Sequence, residues 1–106
     1  MTDKIILRVF KRKIRKVLWE IWDPIGVNDN PDSYDEYDGY LGAVFVLLSH
    51  DASDDELIKY LCDVETERML LPYRDNASFA PVLSALRDLR IYETLAEPGE
   101  RAGGAT

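Results

Sequence analysis

Between Asp23 and Asp38 the chain carries six carboxylates, at Asp23, Asp29, Asp32, Asp35, Glu36 and Asp38, and such a density first suggests a divalent cation. Calcium loops place oxygen ligands at alternate positions, with a glycine at the sharp turn and a bidentate glutamate at the end. The nearest register starts at Asn28, with Asn30 and Asp32 at the third and fifth positions. It then puts Ser33 where glycine is wanted and Gly39 where glutamate is wanted, so it fails at its two most demanding positions. Helix capping and a solvated acidic face account for the same residues with no ion.

Nucleophilic chemistry has one imidazole, His50, and one thiol, Cys62, to work with. They lie on opposite sides of the Ser53-Asp54-Asp55-Glu56 corner, and Cys62 falls on an apolar helical face, where a free cysteine is usually packing. Carboxylates are too numerous for any pair to stand out as acid and base. No catalytic residue and no cofactor is expected.

The charge is unevenly laid out. The net charge is −7, yet Lys4, Arg8, Lys11, Arg12, Lys13, Arg15 and Lys16 fall in one short stretch, and no Lys or Arg occurs from Glu20 to Glu56. The bulk charge repels phosphate and argues against general nucleic-acid binding, while the basic stretch keeps a local contact open. Its bland alternatives are a solvated outer face or a partner for the acidic segment of the same chain.

The elements that position these groups read as helices. Leu7, Phe10, Ile14, Val17, Leu18 and Ile21 recur at three- and four-residue steps, one stripe on a helix over about 4–22. A competing reading makes Lys4 to Phe10 a short strand. Trp19 and Trp22 share a face and form a core wall or, alternatively, an aromatic ligand box. Pro24 ends the helix and disfavours helical geometry at Asp23, which is expected to be extended, and Gly26 permits a positive φ. Trp22, Asp23, Pro24 and Gly26 thus form a structural corner, with Asp23 accepting backbone N–H groups and Trp22 buried.

A second helix is expected from Ser33 or Tyr34, with Tyr37, Leu41, Val44, Phe45 and Leu48 inward and Tyr34 and Tyr40 flanking. Gly39 and Gly42 within it imply close approach of another helix or an irregular start. Ser53 and Glu56 form a capping box, and a third helix follows to about Met69, with Leu57, Ile58, Leu61, Cys62, Val64 and Met69 inward and Pro72 as its stop. A fourth opens near Phe79 with Ser78 as cap and Pro81 in its first turn; Val82, Leu83, Leu86, Leu89 and then Tyr92 or Glu93 mark its face.

Trp22-Asp23-Pro24-Ile25-Gly26, then Asp35-Glu36-Tyr37-Asp38-x-Tyr40, then Leu47-Leu48 and the capping box ahead of Leu61 and Glu65-x-Glu67-x-Met69-Leu70, resemble the DUF1871-like group of short bacterial proteins of unknown function. The resemblance covers about residues 19–72 and implies a small all-helical fold. It assigns no chemistry, so no catalytic residue follows from it.

The expected protein is an all-α, compact four-helix domain over 1–97 with short loops and a flexible tail over 98–106. One cysteine and no stretch near the ~20 apolar residues of a membrane span point to a cytoplasmic setting without membrane. The leading functional expectation is a non-enzymatic protein-binding module, in one version an immunity-type protein covering a basic partner, through the acidic surface of Asp35, Glu36, Asp38, Asp54 and Asp55. Metal binding or accessory enzymatic chemistry by carboxylates, and nucleic-acid contact by the first helix, are the alternatives.

Overall fold

Apolar residues at helical spacing shape the first element, and the computed structural model, which describes residues 2–96, shows them at work. Helix α1 spans Thr2–Val17 and runs on without a break as a π turn over Leu18–Trp22. The stretch 4–10 is helical, not a strand. Phe10, Ile14, Val17 and Leu18 are buried along one face. Plain α winding would then bring Ile21 inward. The π turn has more residues per turn, so it delays the following side chains, turning Ile21 out and keeping Trp22 on the stripe. Trp22 is 5% exposed and Ile21 43%. The expected stripe is therefore corrected at its end, and at its start, where Leu7 is only half-buried.

The π turn closes through the Asp23 N–H on the Leu18 carbonyl at 2.9 Å. That bond places Asp23 at φ 30°, ψ 59°, in the left-handed region. The expectation of an extended Asp23 is overturned: the proline bars right-handed helical geometry, and the i→i−5 closure selects the left-handed alternative that aspartate tolerates. Gly26 follows at φ 67° and closes a turn onto the Asp23 carbonyl.

Residues 24–40 wind through turns and two 3-10 segments, Pro31–Ser33 and Asp38–Tyr40, and helix α2 begins only at Leu41 and runs to Ser49. The expected start at Ser33 or Tyr34 is thus too early. A Cβ on Gly39 or Gly42 would meet nothing within 4 Å, so no helix approaches there. The glycines accompany an irregular start, the second of the two readings.

Helix α3 spans Asp54–Asp63 and carries on as a second π turn, Val64–Arg68. Both bonds of the Ser53–Glu56 capping box form. Helix α3 is over before Pro72 is reached; Leu70, at φ 58°, turns the chain away. A 3-10 turn at Asn76–Phe79 leads into α4, Ala80–Asp88, with Pro81 in its first turn and no capping bond from Ser78. Arg90, at φ 53°, breaks the expected fourth helix and starts a short α5, Ile91–Ala96. Ile91 is the buried residue beyond the break, while Tyr92 and Glu93 are exposed.

The result is a compact all-α domain of four principal helices with a short α5, and among the described residues there is no strand. Its core is built on Ile14, Leu18, Val44, Leu57, Leu61, Phe79 and Leu86, contributed by every principal helix or its lead-in. Helix α1 packs on α2 and α4, and α2 on α3 and α5. The proposed tail over 98–106 lies outside the described residues.

Candidate functional site

The two π turns meet. Trp22, at the end of the first, donates its indole N–H to Glu65 Oε2, on the second, at 2.7 Å. Glu65 is 2% exposed and is the one charged residue in the core among the described residues. Its charge is matched by Arg74, whose Nε donates to Oε1 at 3.0 Å and Nη2 to Oε2 at 2.7 Å. The guanidinium lies over the Phe79 ring, 4.1 Å from its centroid, and Nη1 donates to the Ser78 carbonyl at 3.3 Å. The bonds to Glu65 hold the Arg74 guanidinium more firmly protonated than usual, against the opposing effect of burial. A buried carboxylate thus receives three N–H donors and a stacked counter-charge, the condition under which burying an ion pair is tolerated.

Above Trp22 sits the turn. Asp23 Oδ1 accepts from the Val27 N–H at 2.8 Å and from the Tyr37 hydroxyl at 2.7 Å, and Oδ2 from the Asn28 N–H at 3.2 Å. The Tyr37 oxygen also accepts the Ile25 N–H at 3.3 Å. Burial first, and then the Asp23 carboxylate, push the Tyr37 phenol above its ordinary range, so it stays a neutral donor. The rings of Tyr37 and Tyr40 pack on Trp22 at centroid distances of 5.2 and 5.9 Å. Trp19 takes a separate direction and meets Tyr34 edge-on at 5.0 Å. The two tryptophans do not line one ligand box.

Between the corner and the strap 69–74, which follows the second π turn, there is a cleft of about 370 Å³, lined by Trp22, Asp23, Pro24, Glu65, Leu71, Pro72, Tyr73 and Arg74. The strap leaves two large apolar side chains in water: Leu70 is 82% exposed and Tyr73 70%. Ile21 and Ile25 are exposed on the corner.

The five acidic residues singled out in the sequence fall into two groups along the chain, on either side of α2. Asp35, Glu36 and Asp38 precede α2, and Asp54 and Asp55 follow it, so the nine residues of α2 separate them by ~13 Å. Asp38 is held by Arg15 through two bonds, 2.8 and 2.7 Å, and Asp54 by Arg87 at 2.8 Å. Asp35, Glu36 and Asp55 are exposed and, among the described residues, enter no ion pair. The bond to Asp38 also raises the Arg15 pKa. Among the described residues no three His, Cys, Asp or Glu side chains stand close enough to share an ion. His50 and Cys62 are not brought into contact: the His50 ring lies on the Val46 carbonyl, and Cys62 is half-buried beside the core.

Arg74 does not enter the sequence reading, and Glu65 enters it only within the motif of the resemblance, with no role. Glu65 had a signal: it follows Leu61 by four and Leu57 by eight, a charge on the apolar stripe. Arg74 had none, being a loop cation with no periodicity around it. Compared with protein-family models, curated proteins and solved structures, the chain matches none.

Proposed function

We propose that the chain is a non-enzymatic protein-binding module, working in the cytoplasm, whose contact surface is the strap 69–74 together with the neighbouring corner. The observation that carries this reading is the exposure of Leu70 and Tyr73 on a strap tied to Glu65 by the Leu71 N–H on its carbonyl and by the Arg74 side chain on its carboxylate. Large apolar side chains left in water on a tethered backbone suit protein recognition, because less backbone ordering is lost on binding. Leu70 keeps its side chain at a left-handed position where glycine would be easier. Two of the side-chain bonds of Glu65 hold Arg74 of the strap and the third holds Trp22 of the corner.

The net charge of −7 and the free carboxylates of Asp35, Glu36 and Asp55 favour a basic partner. A module of this kind fits an immunity-type protein covering a basic toxin, and it accompanies the resemblance to the DUF1871-like group of bacterial proteins. Among the described residues no helix is long and apolar enough to cross a membrane. The test is capture of a partner from the source organism with the wild-type chain and with Leu70→Asp/Tyr73→Ala. The reading expects a basic protein retained by the first and lost by the second, with an association rate that falls as salt rises. Equal capture by both chains would defeat it.

A second reading rests on α1, where Arg8, Arg12 and Lys13 are exposed without an ion-pair partner among the described residues. It assigns nucleic-acid contact to that face. A mobility shift at low salt that disappears with Arg8→Gln/Arg12→Gln would favour it.

A further inference from the structure

The cleft between corner and strap combines three features: apolar walls, an aromatic ring in water and an under-used carboxylate. Pro24, Leu71 and Pro72 supply the walls, and Tyr73 the exposed ring. A carboxylate has about four acceptor sites. Asp23 Oδ1 uses two of them, for Val27 and Tyr37, while Oδ2 receives only the longer bond from Asn28. Among the described residues no cation pairs with Asp23. The Arg74 guanidinium also lines the cleft, but its charge is matched by the bidentate bonds to Glu65, and it lies against Phe79 and the Ser78 carbonyl.

We infer that this cleft takes one lysine or arginine side chain of a basic protein partner, its stem against Pro24, Leu71 and Pro72, its charge between Asp23 Oδ2 and the face of Tyr73. This deepens the protein-binding reading above and rests on it. Long basic side chains bury their methylenes on apolar surface while the head stays polar, which suits these walls. An exposed tyrosine face adds cation–π attraction. An anion is the poorer occupant, because it meets the unpaired Asp23 carboxylate in the lining while the Arg74 charge is already matched by Glu65. The cleft volume, about 370 Å³, admits one such side chain.

The test is a two-dimensional ¹H–¹⁵N NMR titration of the full chain with N-acetyl-arginine amide, N-acetyl-lysine amide and the neutral isostere N-acetyl-citrulline amide. The cationic probes should shift the Trp22 indole N–H and the backbone amides of Leu71, Tyr73 and Arg74 saturably, with citrulline about tenfold weaker or worse. Tyr73→Ala should weaken arginine about fivefold and Tyr73→Phe should not. Asp23→Asn, which can keep the Oδ1 bonds while removing the charge, should weaken it about tenfold. Equal binding of citrulline and arginine, or shifts confined to Asp35, Glu36 and Asp55, would overturn the inference. Arginine binding lost in Tyr73→Ala while Leu70→Asp/Tyr73→Ala still captures the partner would keep the cleft as a guanidinium site but overturn its role in partner binding and sink the module. Partner capture lost in that double variant with no arginine shifts in the wild type would do the reverse.

Discussion

Removing Arg74 probes the centre of the molecule directly. Arg74→Ala takes away two of the three donors of a carboxylate that is 3% exposed, leaving it only the Trp22 indole. Stranding a buried charge in this way costs ~3–5 kcal/mol. Arg74 itself is 36% exposed, so water enters the space it vacates and the expectation settles at the lower end, about 3 kcal/mol. The lost stacking on Phe79 is included in that figure. For a domain of this size 1 kcal/mol moves the melting temperature by roughly 4–8 °C, so a fall of about 12–24 °C is expected. Total stability for a chain of this length is about 5–15 kcal/mol, so the variant remains measurable if marginal. Urea unfolding followed by tryptophan fluorescence gives the number, and Glu65→Gln in a double-mutant cycle isolates the pair. A cost below about 1 kcal/mol, the value of a solvent-exposed ion pair, would refute the picture of a buried clamp.

Further outcomes follow from the same geometry. Trp22→Phe keeps a ring against Tyr37 and Tyr40 but removes the indole donor to Glu65, and should cost about 1–3 kcal/mol in thermal or chemical unfolding. Leu70→Gly should raise stability by about 0.5–1 kcal/mol, because it relieves an L-residue held at positive φ, and should at the same time weaken partner capture. Asp38→Asn should lose ~0.5–1 kcal/mol, read as a salt-dependent change in the unfolding midpoint, since its bidentate bond to Arg15 lies at a part-exposed site.

Helical class, the capping box at Ser53, the buried stripe of α1 from Phe10 to Leu18, the burial of Trp22 and the backbone N–H groups accepted by Asp23 were all legible in the residues. Each depends on short-range rules: side chains three and four apart share a face, a serine oxygen reaches the N–H three residues on, a proline ends its helix. What failed was also local in appearance but tertiary in cause. Asp23 took a left-handed conformation because the helix widened into a π turn, which sequence periodicity cannot announce. Leu70 and Arg90 turn the chain at positive φ without glycine. A leucine or an arginine at such a position gives no local signal. Gly39 and Gly42 left two readings open, and only the empty space around them chose between them.

The candidate site divides the same way. From the sequence came the acidic composition and the corner; from the fold came the engagement of Asp38 and Asp54 by Arg15 and Arg87. The partnership of Trp22, Glu65 and Arg74 joins positions 43 and 9 residues apart. A charge on an apolar stripe marks Glu65 as needing a partner, but which cation supplies it depends on how a loop folds back. Hydrogen-bond satisfaction in a buried site is a property of three-dimensional packing, and no spacing rule along the chain contains it.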